Sequence, residues 1–193
     1  MAKLDITNIP RELDEIIAAS GSARHRQIAE VVRRHYLLEL TGRGGELFDQ
    51  DMMVENPVYY LNINGLSLTL RSAKEVDAFY ESQHGLMLAA TDVTQVVNDH
   101  GYWAECWFNW YLTGAALAAQ GVAVSSPEAT YIKKSWISMF WPFDERGRML
   151  GEHVYEHAAI AEIVPIPEED FITLEYAKEV LTPLLRPLPV YLP

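Results

Sequence analysis

The chain has 193 residues, 49% hydrophobic and 22% charged, which is enough to bury a full core and argues for one globular domain rather than disorder. Its formal charge of −12 and pI near 4.8 argue against nucleic acid and anionic membrane surfaces as partners. The single Cys106 excludes an internal disulfide; the first fifteen residues have no apolar signal-type core, and no run reaches the ~20 apolar residues of a membrane span, so a cytoplasmic protein is expected.

Residues 1–23 read as a helical addition, with Pro10 near a helix start and Leu13, Ile16 and Ile17 as a short apolar face. Ser22 is a plausible N-cap for a helix running to about Leu40, which Gly42, Gly44 and Gly45 end. Its apolar stripe is Ile28, Val31, Val32, His35 and Leu38, and Arg26, Glu30, Arg33 and Arg34 are expected outside. Glu46 to Met52 reads as a short helix. Pro57 then drives Asn56 into extended space and starts a strand.

Asn64-Gly65 marks a hairpin turn within Val58 to Leu70. Ser72 and Glu75 form a capping box for a helix that Gly85 stops just after His84. Long strands are expected at Thr91 to Asn98, Tyr102 to Thr113, Tyr131 to Phe143 and Met149 to Ile163, with turns at His100-Gly101 and Asp144 to Gly147. The last Pro-rich stretch, 165–193, holds one predicted helix, EEDFITLEYAKEVL. After it comes an apolar tail that needs cover, over the mouth of the fold, its own back surface or a neighbouring subunit.

The element order gives an α+β fold. The helix-to-strand hinge ELFDQDMMVENPVYY, the segment LTGAALAAQG and the terminal FDERGRMLGEHVYEHA, in this order, resemble the nuclear transport factor 2-like (SnoaL-like, ketosteroid-isomerase-like) superfamily over roughly residues 24–164. The resemblance implies a cone: a curved, mostly antiparallel sheet with three helices and a pocket in its mouth. LTGAALAAQG would be a hairpin. Asn56 falls where the isomerases carry their catalytic Asp, and Met139 near their second acid, so steroid-type isomerisation by that route is not expected. His35 falls close to their oxyanion-hole Tyr, with Tyr36 beside it. Cys106, Phe108 and Trp110 share the face that would line the pocket, unless a bulge reverses it.

No phosphate loop, dinucleotide fingerprint, nucleophile elbow or CxxC pair is present, so no cofactor is expected. His153 and His157, four apart on a predicted strand, would stand about 13 Å apart, too far to share a metal ion. Catalysis would then rest on side-chain acids and bases. The catalytic candidates are Tyr59, His84, His35 and Lys134, with Glu152 and Glu156 next. Alternation lets only one of Tyr59 and Tyr60, and one of Lys133 and Lys134, face inward. Tyr36, Asn56, Cys106, Phe108, Trp110, Met139 and Trp141 are the substrate-binding candidates. The many Trp and Tyr suit a flat aromatic or polycyclic ligand.

The expected activity is a cofactor-independent lyase, dehydratase or isomerase acting on a hydrophobic oxygenated ring compound. The resemblance extends this to the diarylpropane lyases, which release formaldehyde from lignin-derived diols. The alternative is a non-catalytic binding or assembly module on the same cone. A homodimer or higher homo-oligomer is expected, because the second face of the sheet also needs cover.

Overall fold

The computed structural model describes residues 3–191. Its spine is the pair β4 (Gly101–Thr113) and β5 (Thr130–Pro142), antiparallel in unbroken register from Gly101 opposite Pro142 to Thr113 opposite Thr130. Alternation sorts the side chains: Cys106, Trp110, Ile137 and Met139 are buried inside, whereas Trp103 and Glu105 are exposed outside. β3 (Met87–Asn98) flanks β4 and carries a bulge between Thr91 and Thr94, with Asp92 at φ 53°. Such a bulge strengthens local twist and curls the sheet. It lies in β3, so β4 keeps its alternation.

On the other side, β5 meets β6 (His153–Glu156) and then β7 (Glu162–Ile166) along one edge. A 3-10 turn at Ala158–Ile160 separates them, so the single long strand expected here is two. β1 (Tyr59–Ile63) runs parallel to β6 and forms a hairpin with β2 (Leu66–Leu70). The hairpin turn uses Asn64 and Gly65, both at positive φ, as the Asn-Gly pair implied. The order is β2-β1-β6-β5-β4-β3, antiparallel except at β1–β6.

Five α-helices occur among the described residues: α1 (Asn8–Ala19), α2 (Ala23–Leu40), α3 (Ala73–Ser82), α4 (Gly114–Ala119) and α5 (Leu174–Leu181). None is long and apolar enough to cross a membrane. Ser22 caps α2 and Ser72 caps α3, each side chain accepting from the backbone N–H three residues on. Three local expectations are corrected. Glu46 to Met52 is not an α-helix; a 3-10 turn spans Gly44–Phe48 and burial of Leu47 anchors it. The small apolar segment after β4 is α4, because the Thr113 hydroxyl accepts from Ala116 N–H and starts a helix. The C-terminal helix begins only at Leu174, where Thr173 caps it.

The architecture is thus the α+β cone, a curved, mostly antiparallel sheet wrapped by helices. The helices differ in number from the three expected. α2 is buried on both sides. One side carries Ile28, Val31, Val32, His35 and Leu38; the other carries Gln27, Glu30 and Arg33, at 5%, 3% and 4% exposure. Glu30 and Arg33 are therefore not outward as expected, because α1 and the C-terminal tail cover them.

The tail lies on the back of α2, away from the cone mouth. Prolines 183, 187 and 189 leave it without a strand ladder. Side chains bind it instead. Arg33 Nη1 donates to the Leu184 carbonyl at 3.0 Å, and Arg34 Nη1 to the Arg186 carbonyl at 2.7 Å. Arg186 grips Glu30 and Asp14, with Nη2 2.9 Å from both Glu30 carboxylate oxygens and 2.7 Å from Asp14 Oδ1. Tyr191 N–H donates to Gln27 Oε1 at 3.0 Å.

Arg186→Ala would strand the buried Glu30 carboxylate. We expect a loss of about 3 kcal/mol, the low end for an uncompensated buried charge. Urea unfolding of the purified variant measures it as a lower midpoint with unchanged slope.

Candidate functional site

The site starts with a close approach of backbones. Val58 N–H donates to the Leu150 carbonyl at 2.9 Å, and Tyr60 N–H to the Glu152 carbonyl at 2.7 Å. Gly151, at φ +143°, sits between them. A Cβ there would stand 1.8 Å from the Val58 oxygen. Glycine thus lets the segment entering β6 lie beside β1 and sets Glu152 next to Tyr59.

α2 and α3 close over Glu152. Tyr80 of α3 donates to Glu152 Oε1 at 2.9 Å. His35 Nε2 lies 3.1 Å from the same oxygen and 3.0 Å from the Tyr80 hydroxyl. Tyr59 OH stands 3.4 Å from Tyr80 OH. Because a carboxylate only accepts, the His35 proton is assigned to Nε2, and Nδ1 is left buried without a partner among the described residues. One helical turn on, Glu39 Oε2 is 3.9 Å from His35 Nε2. That is too long for a hydrogen bond.

Glu39, Tyr80 and Glu152 border a cavity of about 150 Å³, while the fully buried His35 and Tyr59 stand behind its wall. Tyr36, Glu39, Tyr80 and Glu152 give it a polar side, and Asn64 also lines it. Apolar groups such as Leu61, Leu88 and Val154 line the rest. Glu39 lies deep in the protein, yet its side chain keeps 37% of its surface accessible because it faces this cavity. Burial lifts its carboxyl to about 7; the neighbouring His35 opposes the rise and Glu152 adds to it. Burial, then the Glu152 charge, pushes both Tyr59 and Tyr80 far above the usual phenol range, so both remain hydrogen-bond donors. Burial, then Glu105, pushes the Cys106 thiol up to about 12, so it is no thiolate nucleophile at neutral pH.

Six of the substrate-binding candidates, Tyr36, Cys106, Phe108, Trp110, Met139 and Trp141, line the cavity. Asn56 does not. It sits in an exposed bend before Pro57, because strand pairing starts only at Tyr59. Tyr59 is the inward member of its pair, fully buried, while Tyr60 is 37% exposed. Lys134 is corrected. It lies on the outer face, its Nζ over the Trp107 ring at 4.8 Å. Lys133 is the inward one, and its Nζ is held by Glu156 at 3.0 Å and Asn64 Oδ1 at 2.7 Å. Glu156 is pushed up by burial, but bonds from Ser135, Lys133 and the Asn64 N–H outweigh this and hold it below the usual range. His84 is exposed at the cavity rim beside Gly42 and shares no hydrogen bond with Tyr59. His153 and His157 take separate partners, the Phe140 and Tyr60 rings for one and Ser138 for the other.

Two site residues escaped the sequence reading, Glu39 and Tyr80. Glu39 stands one turn past His35 on the same helix face, a spacing that the buried His35 could have flagged.

The fold class rests on this topology. No family model matches the chain, and no curated protein does. Solved structures of similar fold include a protein described as a polyketide cyclase from Xanthomonas campestris pv. campestris. It is 14% identical, with a TM-score of 0.48, over 70% of this chain and 94% of that one. A phenazine biosynthesis-related protein from Pseudomonas aeruginosa is also 14% identical, TM-score 0.46, over 77% and 86%. The CaMKII hub of S. rosetta is 8% identical, TM-score 0.47, over 68% and 95%. At such distances activity does not transfer.

Glu39 makes stability depend on pH. Its folded value, about 7, lies above the ordinary 4.5, so the folded state holds the extra proton between them. Its contribution is complete below about 4.5 and is lost as pH rises through about 7. Glu39→Gln removes that loss. Urea midpoints at pH 5 and pH 8 should show the variant gaining on the wild type at the higher pH.

Proposed function

We propose that the protein is an acid–base enzyme, a cofactor-independent dehydratase, lyase or isomerase, acting on a small oxygenated ring compound within this cavity. The observation that carries the reading is the pair Glu39 and Glu152. They share one cavity and one histidine, yet only Glu152 is hydrogen-bonded. Carboxyls held in unlike surroundings divide into acid and base.

In the dehydration that fits, protonated Glu39 gives its proton to a substrate hydroxyl as the C–O bond breaks and water leaves. Glu152 takes the proton from the adjacent carbon, and that C–H pair becomes the new double bond. His35 orients Glu152 and Tyr80. Tyr59 steadies Tyr80 from below. His84 at the rim meets the outer end of the ligand. The cavity volume matches one that holds a single benzene-sized ring. A one-ring compound therefore ranks above a two-ring diarylpropane diol.

A second reading, binding without turnover, draws on the hold of His35 and Tyr80 on Glu152 Oε1. One incubation decides between them. The protein is mixed with one-ring alcohols, diols and epoxides, and mass spectrometry follows loss of water or formaldehyde. Glu39→Gln should lower kcat by about 10²–10⁴-fold while circular dichroism is unchanged. Tyr80→Phe should cost less, about tenfold, by loosening Glu152. Folded variants with near-native turnover would remove this assignment.

The outer sheet face supports a homodimer. Trp103, Val96, Tyr155 and Tyr60 are 45%, 53%, 50% and 37% exposed, and Trp103 stacks on Phe140 at 4.0 Å between ring centres. Single exposed apolar residues are ordinary, whereas a contiguous row calls for a partner. Sedimentation at micromolar concentration should show a dimer that Trp103→Asp converts to monomer.

A further inference from the structure

The cavity has a charge pattern that its acid–base reading does not use. Among the described residues that line it, the formally charged side chains are Glu39, Glu81 and Glu152; His84 is at the rim, and no Lys or Arg is present. The nearest inward basic group, Lys133, is already occupied by Glu156 and Asn64. Arg34 and Arg43, close to the end of α2, are paired with Glu46. Among the described residues lining the cavity, no Lys or Arg is available to receive an anionic substrate.

The remaining lining adds to this. Tyr36, Phe79, Tyr80, Tyr102, Phe108, Trp110 and Trp141 present aromatic rings around the same space. Ring faces attract cations, most strongly where water is excluded. The Glu39 carboxyl makes no hydrogen bond with any described residue while facing the cavity, so it has acceptor capacity that a ligand can fill. Glu152 differs, since Tyr80 and His35 already occupy its Oε1.

We infer that the cavity selects ligands by charge: it takes a one-ring compound bearing a protonated amine, whose N–H groups bond to Glu39 and whose charge lies against the aromatic rings. The ligand class that fits is then an amino-substituted ring compound rather than a carboxylate, phosphate or thioester of an anionic carrier, and while an ammonium sits on Glu39 that carboxyl is ionised and does not serve as the general acid. This inference rests on the same cavity as the proposed function, but it concerns binding and needs no turnover.

Three probes of equal size test it on the full-length protein: benzylamine, benzyl alcohol and benzoate, titrated by calorimetry at pH 8. Benzylamine should bind most tightly and benzoate least, with roughly tenfold or more between the extremes, as like-charge contact in a dry site requires. Glu39→Gln should cut the amine's advantage over the alcohol by about tenfold, the scale of a charge-assisted hydrogen bond. Glu145→Gln, in an exposed turn outside the cavity lining, should leave it nearly unchanged. Benzoate binding as tightly as benzylamine overturns the inference. So does an amine preference that survives Glu39→Gln in a variant with native circular dichroism, or failure of all three probes to bind. Amine selection without turnover of any compound would sink the acid–base reading and leave this one standing. Turnover of a neutral substrate together with tight benzoate binding would do the reverse.

Discussion

Burial of the Glu152 carboxylate is the constraint on which the inner half of this structure depends. A carboxyl with only 10% of its side chain exposed is costly to bury unless it is hydrogen-bonded. Tyr80 and His35 both meet its Oε1, and they come from α3 and α2, while Glu152 comes from the approach to β6. Three separate elements must therefore meet at one oxygen. That meeting fixes both helices over the sheet mouth and leaves the cavity beside it. Gly151 is the backbone condition for the arrangement, because any side chain there would collide with Val58.

The outer half holds that arrangement rigid. α2 carries both His35 and Glu39, so small rotations of α2 would move both. Its far side is locked by Arg33, Arg34 and Glu30 to the C-terminal tail, and Arg186 closes the lock onto α1 through Asp14. The tail has too many prolines to form a ladder, yet its carbonyls still need donors. Arginines on α2 supply them. The charged residues of α2 thus form a buried seam between helix and tail, which also explains why its sequence looks less amphipathic than its burial requires.

Periodicity made the frame readable. The strict alternation of β4 placed Cys106, Phe108 and Trp110 on the cavity side, and Asn64-Gly65 and Ser72 announced a hairpin and a helix start. What resisted reading depends on contacts distant in sequence. Glu30 and Arg33 look solvent-facing until the tail, more than 150 positions later, covers them. Tyr80 looks like an ordinary helix residue until Glu152 is brought to it across the sheet. Lys133 and Lys134 differ only in parity, and nothing local fixes it; pairing with β4 puts Lys133 inside. The short α4 was hidden because small apolar residues suit either a hairpin or a helix, and a single Thr113 cap settles which.

The carboxyl with the raised titration sits on a helix and not at the hinge. The hinge residue Asn56 has no carboxyl and faces solvent, so that end of β1 contributes no proton. The inner cluster has two carboxyls, Glu39 and Glu152, and one imidazole, His35. One Nε2–H can serve one carboxyl oxygen well. Glu152 is closer to it, at 3.1 Å against 3.9 Å, and has Tyr80 as well. Glu39 is left without a hydrogen bond to any described residue, and burial, opposed by His35 and reinforced by Glu152, moves its titration to about 7. A group in that position has two uses for its proton. It can give the proton to a substrate oxygen, or exchange it for a ligand's ammonium, and in both cases the carboxyl of Glu39 does the selecting.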